Sequence, residues 1–192
     1  MRYLKGMSCC LLMILLCAQS YAFTASYVQT TSGTGVVNPQ TKVVKIKDNK
    51  VRMEMESRYG KAITIIDGKT IYSYVPSKNK AVKLKSNASY GMEVLADYKA
   101  YLRRLDAKIV GSQTIDARQC DIYEYTDPRI KMPSKVWLWK EKGFPIKVET
   151  QVPDGTVTTV MSDVEVGVPI DDSLFVLPPG VEIVEAGKKG DR

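Results

Sequence analysis

The stretch Lys135–Thr150, KVWLWKEKGFPIKVET, decides the fold. Trp137 and Trp139 stand two residues apart and so project from one face of a strand. Val136 and Leu138 fill the other face, which makes the strand apolar on both sides. Lys140-Glu141-Lys142-Gly143 reads as a turn, and Phe144–Thr150 returns as a second extended segment. A strand apolar on both faces needs cover on both, or an apolar ligand on one. Two readings stay open at this point: the tryptophans pack in a closed core, or they wall a pocket. Apolar stripes as a rule belong to cores, which favours the first.

Upstream, the same alternation recurs. Val44 and Ile46 alternate with Lys45 and Lys47, Asp48-Asn49 makes a turn, and Val51, Met53 and Met55 alternate with Arg52, Glu54 and Glu56. One apolar and one charged face is the mark of an antiparallel hairpin. Ala62–Ile66 and Thr70–Val75 flank Asp67-Gly68, a strong two-residue turn signal, and Ala81–Lys85 follows a turn at Pro76–Asn79. Between Ser89 and Leu105 the period changes. Val94, Leu95, Tyr98, Tyr101, Leu102 and Leu105 fall at helical spacing, and Ser89 is the expected N-cap of one amphipathic helix. Strands resume at Lys108–Thr114 and Arg118–Thr126. Beyond the tryptophan hairpin, Asp154-Gly155 turns the chain into Thr156–Val166, and DDSLFVLPPGVEIVE closes with a short turn and an extended piece. The count is about 10–11 strands and one main helix in meander order. It predicts a mainly β chain, built as a large antiparallel sheet or open barrel.

The chain has 192 residues, 44% hydrophobic and 26% charged, which suits one domain over residues 23–186. Residues 1–22 read differently. Arg2 and Lys5 precede an uncharged apolar run from Cys9 to Ala18, and Ser20-Tyr21-Ala22 supplies small residues at a cleavage site. That layout predicts a secretory signal peptide cleaved after Ala22. Residues 187–192 read as a flexible polar tail. Cys9, Cys10 and Cys17 leave with the leader, so Cys120 stands alone without an internal disulfide partner and is expected as a small buried hydrophobe.

Catalytic chemistry is scarce. The sequence contains no histidine, which removes Ser-His-Asp and Cys-His arrangements and the commonest transition-metal ligand. No glycine-rich phosphate loop follows a strand. The carboxylate pairs Glu54/Glu56 and Asp171/Asp172 are expected on an outward lysine-rich strand and at a turn, not converging in a cleft. The expectation is a protein that is not an enzyme and uses no cofactor and no metal. Net charge is +7, but the lysines are spread along alternating strands, a solvated face with weak attraction to anionic membranes. Nothing is arranged as a nucleic-acid platform. What the chain does supply is adaptable apolar surface. Met53, Met55, Met92 and Met161 re-pack easily, and Tyr72, Tyr74, Trp137 and Trp139 offer wide walls with a polar edge.

FTASYVQT at the predicted mature start, DGKTIYSYVP, KVWLWKEKGFPIKVE and the closing LFVLPPGVEIVE resemble, in order, segments of the periplasmic outer-membrane lipoprotein carrier proteins (LolA-like). The resemblance spans nearly all of residues 23–186. It implies a half-open antiparallel β-barrel with a helical lid over an apolar cavity. It further implies a periplasmic carrier or chaperone that shelters acyl chains of a lipid or lipoprotein during transfer to the outer membrane. Its partners would be an inner-membrane donor and an outer-membrane acceptor, with transient membrane contact. The alternative on the same scaffold is an envelope-stress sensing or protein-interaction module. The expected cavity wall comprises Val44, Ile46, Met53, Met55, Ile65, Tyr72, Tyr74, Leu95, Tyr98, Leu102, Trp137 and Trp139, with both tryptophans facing the space beneath the helix. Arg52 is the lid-latch candidate by strand order.

Overall fold

The computed structural model describes residues 23–85, 92–128 and 130–186. The expected leader at 1–22, the expected N-cap Ser89 and the expected tail at 187–192 lie outside the described residues, as does the Met92 side chain. Twelve strands form one sheet. They are β1 (Thr24–Gly33), β2 (Gln40–Lys47), β3 (Lys50–Ser57), β4 (Gly60–Asp67), β5 (Thr70–Val75) and β6 (Lys80–Lys85), then β7 (Lys108–Ile115), β8 (Arg118–Asp127), β9 (Met132–Trp139), β10 (Pro145–Val152), β11 (Gly155–Val166) and β12 (Glu182–Glu185). The spatial order is β12-β6-β5-β4-β3-β2-β1-β11-β10-β9-β8-β7. Two antiparallel meanders, β1–β6 and β7–β11, are therefore joined by β1 pairing with β11. β12 adds to β6 in parallel, and the sheet stays open. The fold is the expected mainly-β half-open barrel.

Most hairpins follow the alternation. β2 buries Val44 and Ile46 between partly exposed lysines, and Asp48 at the turn into β3 adopts a left-handed φ of 53°. Two turns sit one residue from their expected place. Asp67 pairs with Thr70, so Gly68 and Lys69 make that turn, and Val152 pairs with Gly155, so Pro153 and Asp154 make the other. In the tryptophan hairpin the Gly143 N–H donates to the Trp139 carbonyl at 2.7 Å, and the Trp139 N–H donates to the Phe144 carbonyl at 2.8 Å. Gly143 takes φ 64°, a left-handed value that glycine reaches without steric cost.

The expected single helix is two. α1 (Met92–Ala96) and α2 (Tyr98–Arg104) are separated at Asp97, whose carboxylate accepts the Ala100 N–H at 2.8 Å. Aspartate competes for backbone donors, so it is a good cap and a poor helix-interior residue, and periodicity alone runs straight across it.

Candidate functional site

Paired positions in a sheet share a face, so strand register sorts the candidate residues. On one face Ala25 pairs with Ile46, Ile46 with Val51, and Val51 with Ile66. Val148, in register with Thr159 and Val136, belongs to the same face. The helices lie there. Tyr98 and Leu102, 7% and 1% exposed, are buried with Val136 and Leu138, while Tyr101, Tyr123, Tyr125, Leu95 and Val148 pack around them. The Tyr98 and Tyr101 rings meet edge-to-face at 5.6 Å, and Tyr101 meets Tyr125 at 6.4 Å. Burial, then the neighbouring Tyr125 hydroxyl, pushes the Tyr98 phenol far up, so it remains a neutral wall. The Lys99 ammonium reaches over the tryptophan hairpin to donate to the Lys140 carbonyl at 3.3 Å.

Of the expected wall, Val44, Ile46, Met53 and Met55 lie on this helix face, and Leu95, Tyr98 and Leu102 come down onto it. Val44 and Ile46 are buried, Met53 is half-buried at the cluster's edge, and Met55 is exposed. Met161 joins the same central cluster, and Tyr27 meets Phe144 edge-to-face at 5.4 Å within it.

The tryptophans do not face the helices. Trp137 is in register with Ile122 and Lys147, and Trp139 with Cys120, so both project from the opposite face to Val136 and Leu138. Trp137 Nε1 donates to Gln113 Oε1 at 2.7 Å, the Lys147 ammonium lies 4.4 Å over its ring, and the Arg118 guanidinium lies 5.3 Å over Trp139. Trp137 is also buried in the central cluster with Cys120, Phe144 and Ile146, and Trp139 packs against it, so the tryptophans serve as core side chains with polar edges. The strand is apolar on both sides because each face has its own cover, and it is the aliphatic side that meets the helices. Cys120 is buried beside this hairpin, as its strand position suggested.

Ile65, Tyr72, Tyr74 and Arg52 project from the face opposite Val51 and Ile66, where Ile65 pairs with Arg52 and Tyr72 and where a cluster separate from that of the tryptophans forms. Their cover is the segment from Val168 to Val181. Ile170 and Phe175 are buried against Ile63, Ile65, Tyr74 and Ala81. Polar contacts clasp this cover. Arg52 donates to the Leu174 carbonyl at 2.9 Å, Lys47 to the Ile170 carbonyl at 3.1 Å, and Asn79 to the Gly180 carbonyl at 2.9 Å. Arg52 is thus a latch for the C-terminal cover and not for the helices. Glu54 orients it through a 2.6 Å ion pair and also bonds Lys61. Desolvation opposes ionisation of Glu54, but hydrogen bonds from Lys61 and Arg52 outweigh it and hold the carboxyl below its usual range. Asp171 caps the turn at Asp172–Phe175 through the Ser173 N–H, and Asp172 pairs with Lys47 and Lys50. Neither carboxylate pair converges as an acid–base dyad, and among the described residues no group of three His, Cys, Asp or Glu side chains gathers as a metal site.

Two clefts open where the helix-bearing sheet meets solvent. One of about 490 Å³ lies at the foot of α2, lined by Leu105, Tyr125 and Ser134 among others. Another of about 660 Å³ separates the 34–39 loop from the Arg58–Tyr59 turn and is lined by Val36, Val37, Met55 and Tyr59. Among the described residues no helix is long and apolar enough to cross a membrane.

No family model matches the chain. It is 31% identical over 150 residues to an uncharacterized protein of Methanocaldococcus jannaschii, MJ0687, across 73% of this chain and 42% of that protein's length. The chain therefore spans less than half of that relative. Among solved structures it is similar to an uncharacterized conserved protein from Thermus thermophilus, with TM-score 0.60 at 11% identity over 86% of this chain and 91% of the other. It is also similar to the Mycobacterium tuberculosis lipoprotein LppX, with TM-score 0.50 at 12% identity over 79% and 88% of the two chains. MucB, in the Pseudomonas aeruginosa MucA/MucB complex structure, matches with TM-score 0.53 at 13% identity over 79% of this chain and 55% of that one. At these identities the likeness is one of fold alone, that of a half-open antiparallel β-barrel.

Proposed function

We propose that the protein is a non-enzymatic envelope carrier that shelters lipid or lipoprotein acyl chains on the helix face of its open sheet, on the way to the outer membrane. One observation carries this: two short helices, hinged at Asp97, are seated on a continuous wall of Val136, Leu138, Tyr123, Tyr125 and Val148 largely through Tyr98 and Leu102. An acyl chain offers that wall the same kind of contact. Burying each CH₂ contributes about 0.8 kcal/mol, so about 14 methylenes gain roughly 11 kcal/mol. Docking Tyr98 and Leu102 contributes on the order of 3–6 kcal/mol. Ligand outweighs lid, and the helices lift without unfolding the sheet. Met53, Met55 and Met161 adapt the neighbouring surface to chains of different shape.

Lipid extraction with mass spectrometry of the purified protein, together with titration of a fluorescent fatty acid, tests the proposal. Co-purified lipid and saturable binding are expected. Absence of both sinks it. The likeness to MucB, which is solved in complex with MucA, favours a second reading in which the half-barrel binds a protein partner. That reading predicts a stable complex, recovered by crosslinking in the envelope, that survives substitution of Leu102.

A further inference from the structure

The two edges of the sheet are treated differently. β12 closes one edge with four residues, two of them glutamates, paired as Glu182 with Lys80 and Glu185 with Lys83. Shortness and charge are the usual protection against further strand pairing. β7, at the other edge, has eight residues, KIVGSQTI, with one charge at Lys108 and no proline. Every residue from Lys108 to Thr114 is exposed, Ile109 and Val110 at 60% and 48%, and among the described residues β8 alone pairs with it. A bulge at Val110 interrupts the register between Ile109 and Gly111, which leaves Gly111–Ile115 as a regular unpaired edge.

Gly111 adds a second observation. Its backbone is not left-handed, and an added Cβ would meet nothing closer than Ile122 Cδ1 at 3.7 Å. Nothing in the fold requires a glycine there, although glycine weakens a strand interior. A mid-strand glycine commonly marks where another backbone approaches. The two β8 carboxylates nearby are already paired, Asp121 with Lys140 and Glu124 with Lys135. A recess of about 260 Å³ lined by Ser112, Gln113, Thr114 and Cys120 lies alongside.

We propose that Gly111–Ile115 is a strand-addition site for a short, extended, uncharged segment of a partner protein, which pairs as a thirteenth strand. A second copy of the chain fits less well. An edge of five residues is roughly 17 Å long, too little to supply the roughly 1,600 Å² of a standard protein–protein interface. A peptide draws its affinity from main-chain hydrogen bonds and its selectivity from recesses for alternate side chains.

The test uses ¹⁵N-labelled protein and a blocked peptide of alternating threonine and valine, five residues long. Saturable amide shifts confined to Gly111–Ile115 and their β8 partners are expected at millimolar peptide. An analogue N-methylated at alternate amides should bind at least tenfold more weakly. So should the peptide against the double variant Ser112→Lys, Thr114→Lys, whose substitutions are exposed and whose melting curve should match the wild type. No saturable shift, equal binding of the N-methylated analogue, or shifts centred on α2 overturns the proposal. A dimer in light scattering that the double variant dissolves also overturns it, in favour of a second copy.

Discussion

Leu102→Ala separates a lid from a core helix. Leu102 is 1% exposed and packs with Val136 and Leu138. Truncating a leucine so placed in a cooperative core costs about 2–5 kcal/mol. If α2 is instead a lid competing with ligand, the loss falls on the closed state. The open, binding-competent fraction rises, and apparent affinity rises with it, because the apparent Kd is the intrinsic value divided by that fraction. A loss of about 2–3 kcal/mol in docking tightens acyl binding by about 30- to 140-fold, at about 1.4 kcal/mol per factor of ten. Fluorescent fatty-acid titration and urea unfolding, run on the same preparations, read both quantities. The lid model expects much tighter binding with a fall in global stability well below the core value. Unchanged or weaker binding, with the full core penalty in the unfolding curve, refutes it.

Trp137→Phe should remove the Nε1 bond to Gln113 and cost about 1 kcal/mol of stability, while fatty-acid affinity stays within twofold, since Trp137 projects from the face opposite Val136 and Leu138. Phe175→Ala should cost about 3–5 kcal/mol by unseating the C-terminal cover, read as a lower urea midpoint and faster proteolysis between Val168 and Val181. The depressed folded-state pKa of Glu54 makes its stabilisation fully present above the unfolded carboxylate value, about 4.3. That stabilisation is lost as pH falls from there through the lower folded value. Glu54→Gln should therefore be less stable than wild type at neutral pH, and the two unfolding curves should converge on acidification.

The hairpins were legible because their alternation is local: Val44/Ile46 against Lys45/Lys47 needs no knowledge of the rest of the chain. The helix break at Asp97 is a local contest between cap and interior that apolar spacing does not register. The face of the tryptophans was decided across strands. Lys135 shares their parity, and the hairpin sets Lys147 opposite Trp137, so the charge on the tryptophan face was readable, whereas the packing of Trp137 into the central cluster was not. The split of the candidate wall between two faces was not readable. Ile65 and Ile66 are adjacent and both buried, one under the C-terminal cover and the other in the central cluster. A segment as short as Asp172–Phe175 carries no periodicity to announce that it roofs a sheet.

The pairing of β1 with β11 also governs how the molecule is made. Thr31 and Thr159, hydroxyl to hydroxyl at 3.2 Å, are 128 positions apart, whereas the other antiparallel ladders join strands that are consecutive in the chain. Each meander can assemble from its own hairpins, but their union waits on long-range closures, this ladder above all, whose entropy is lost before any contact repays it. Formation of that seam is the step expected to limit the folding rate. Until it zips, β1 and β11 are two further bare edges, and the interval before closure is when the chain is most exposed to wrong partners.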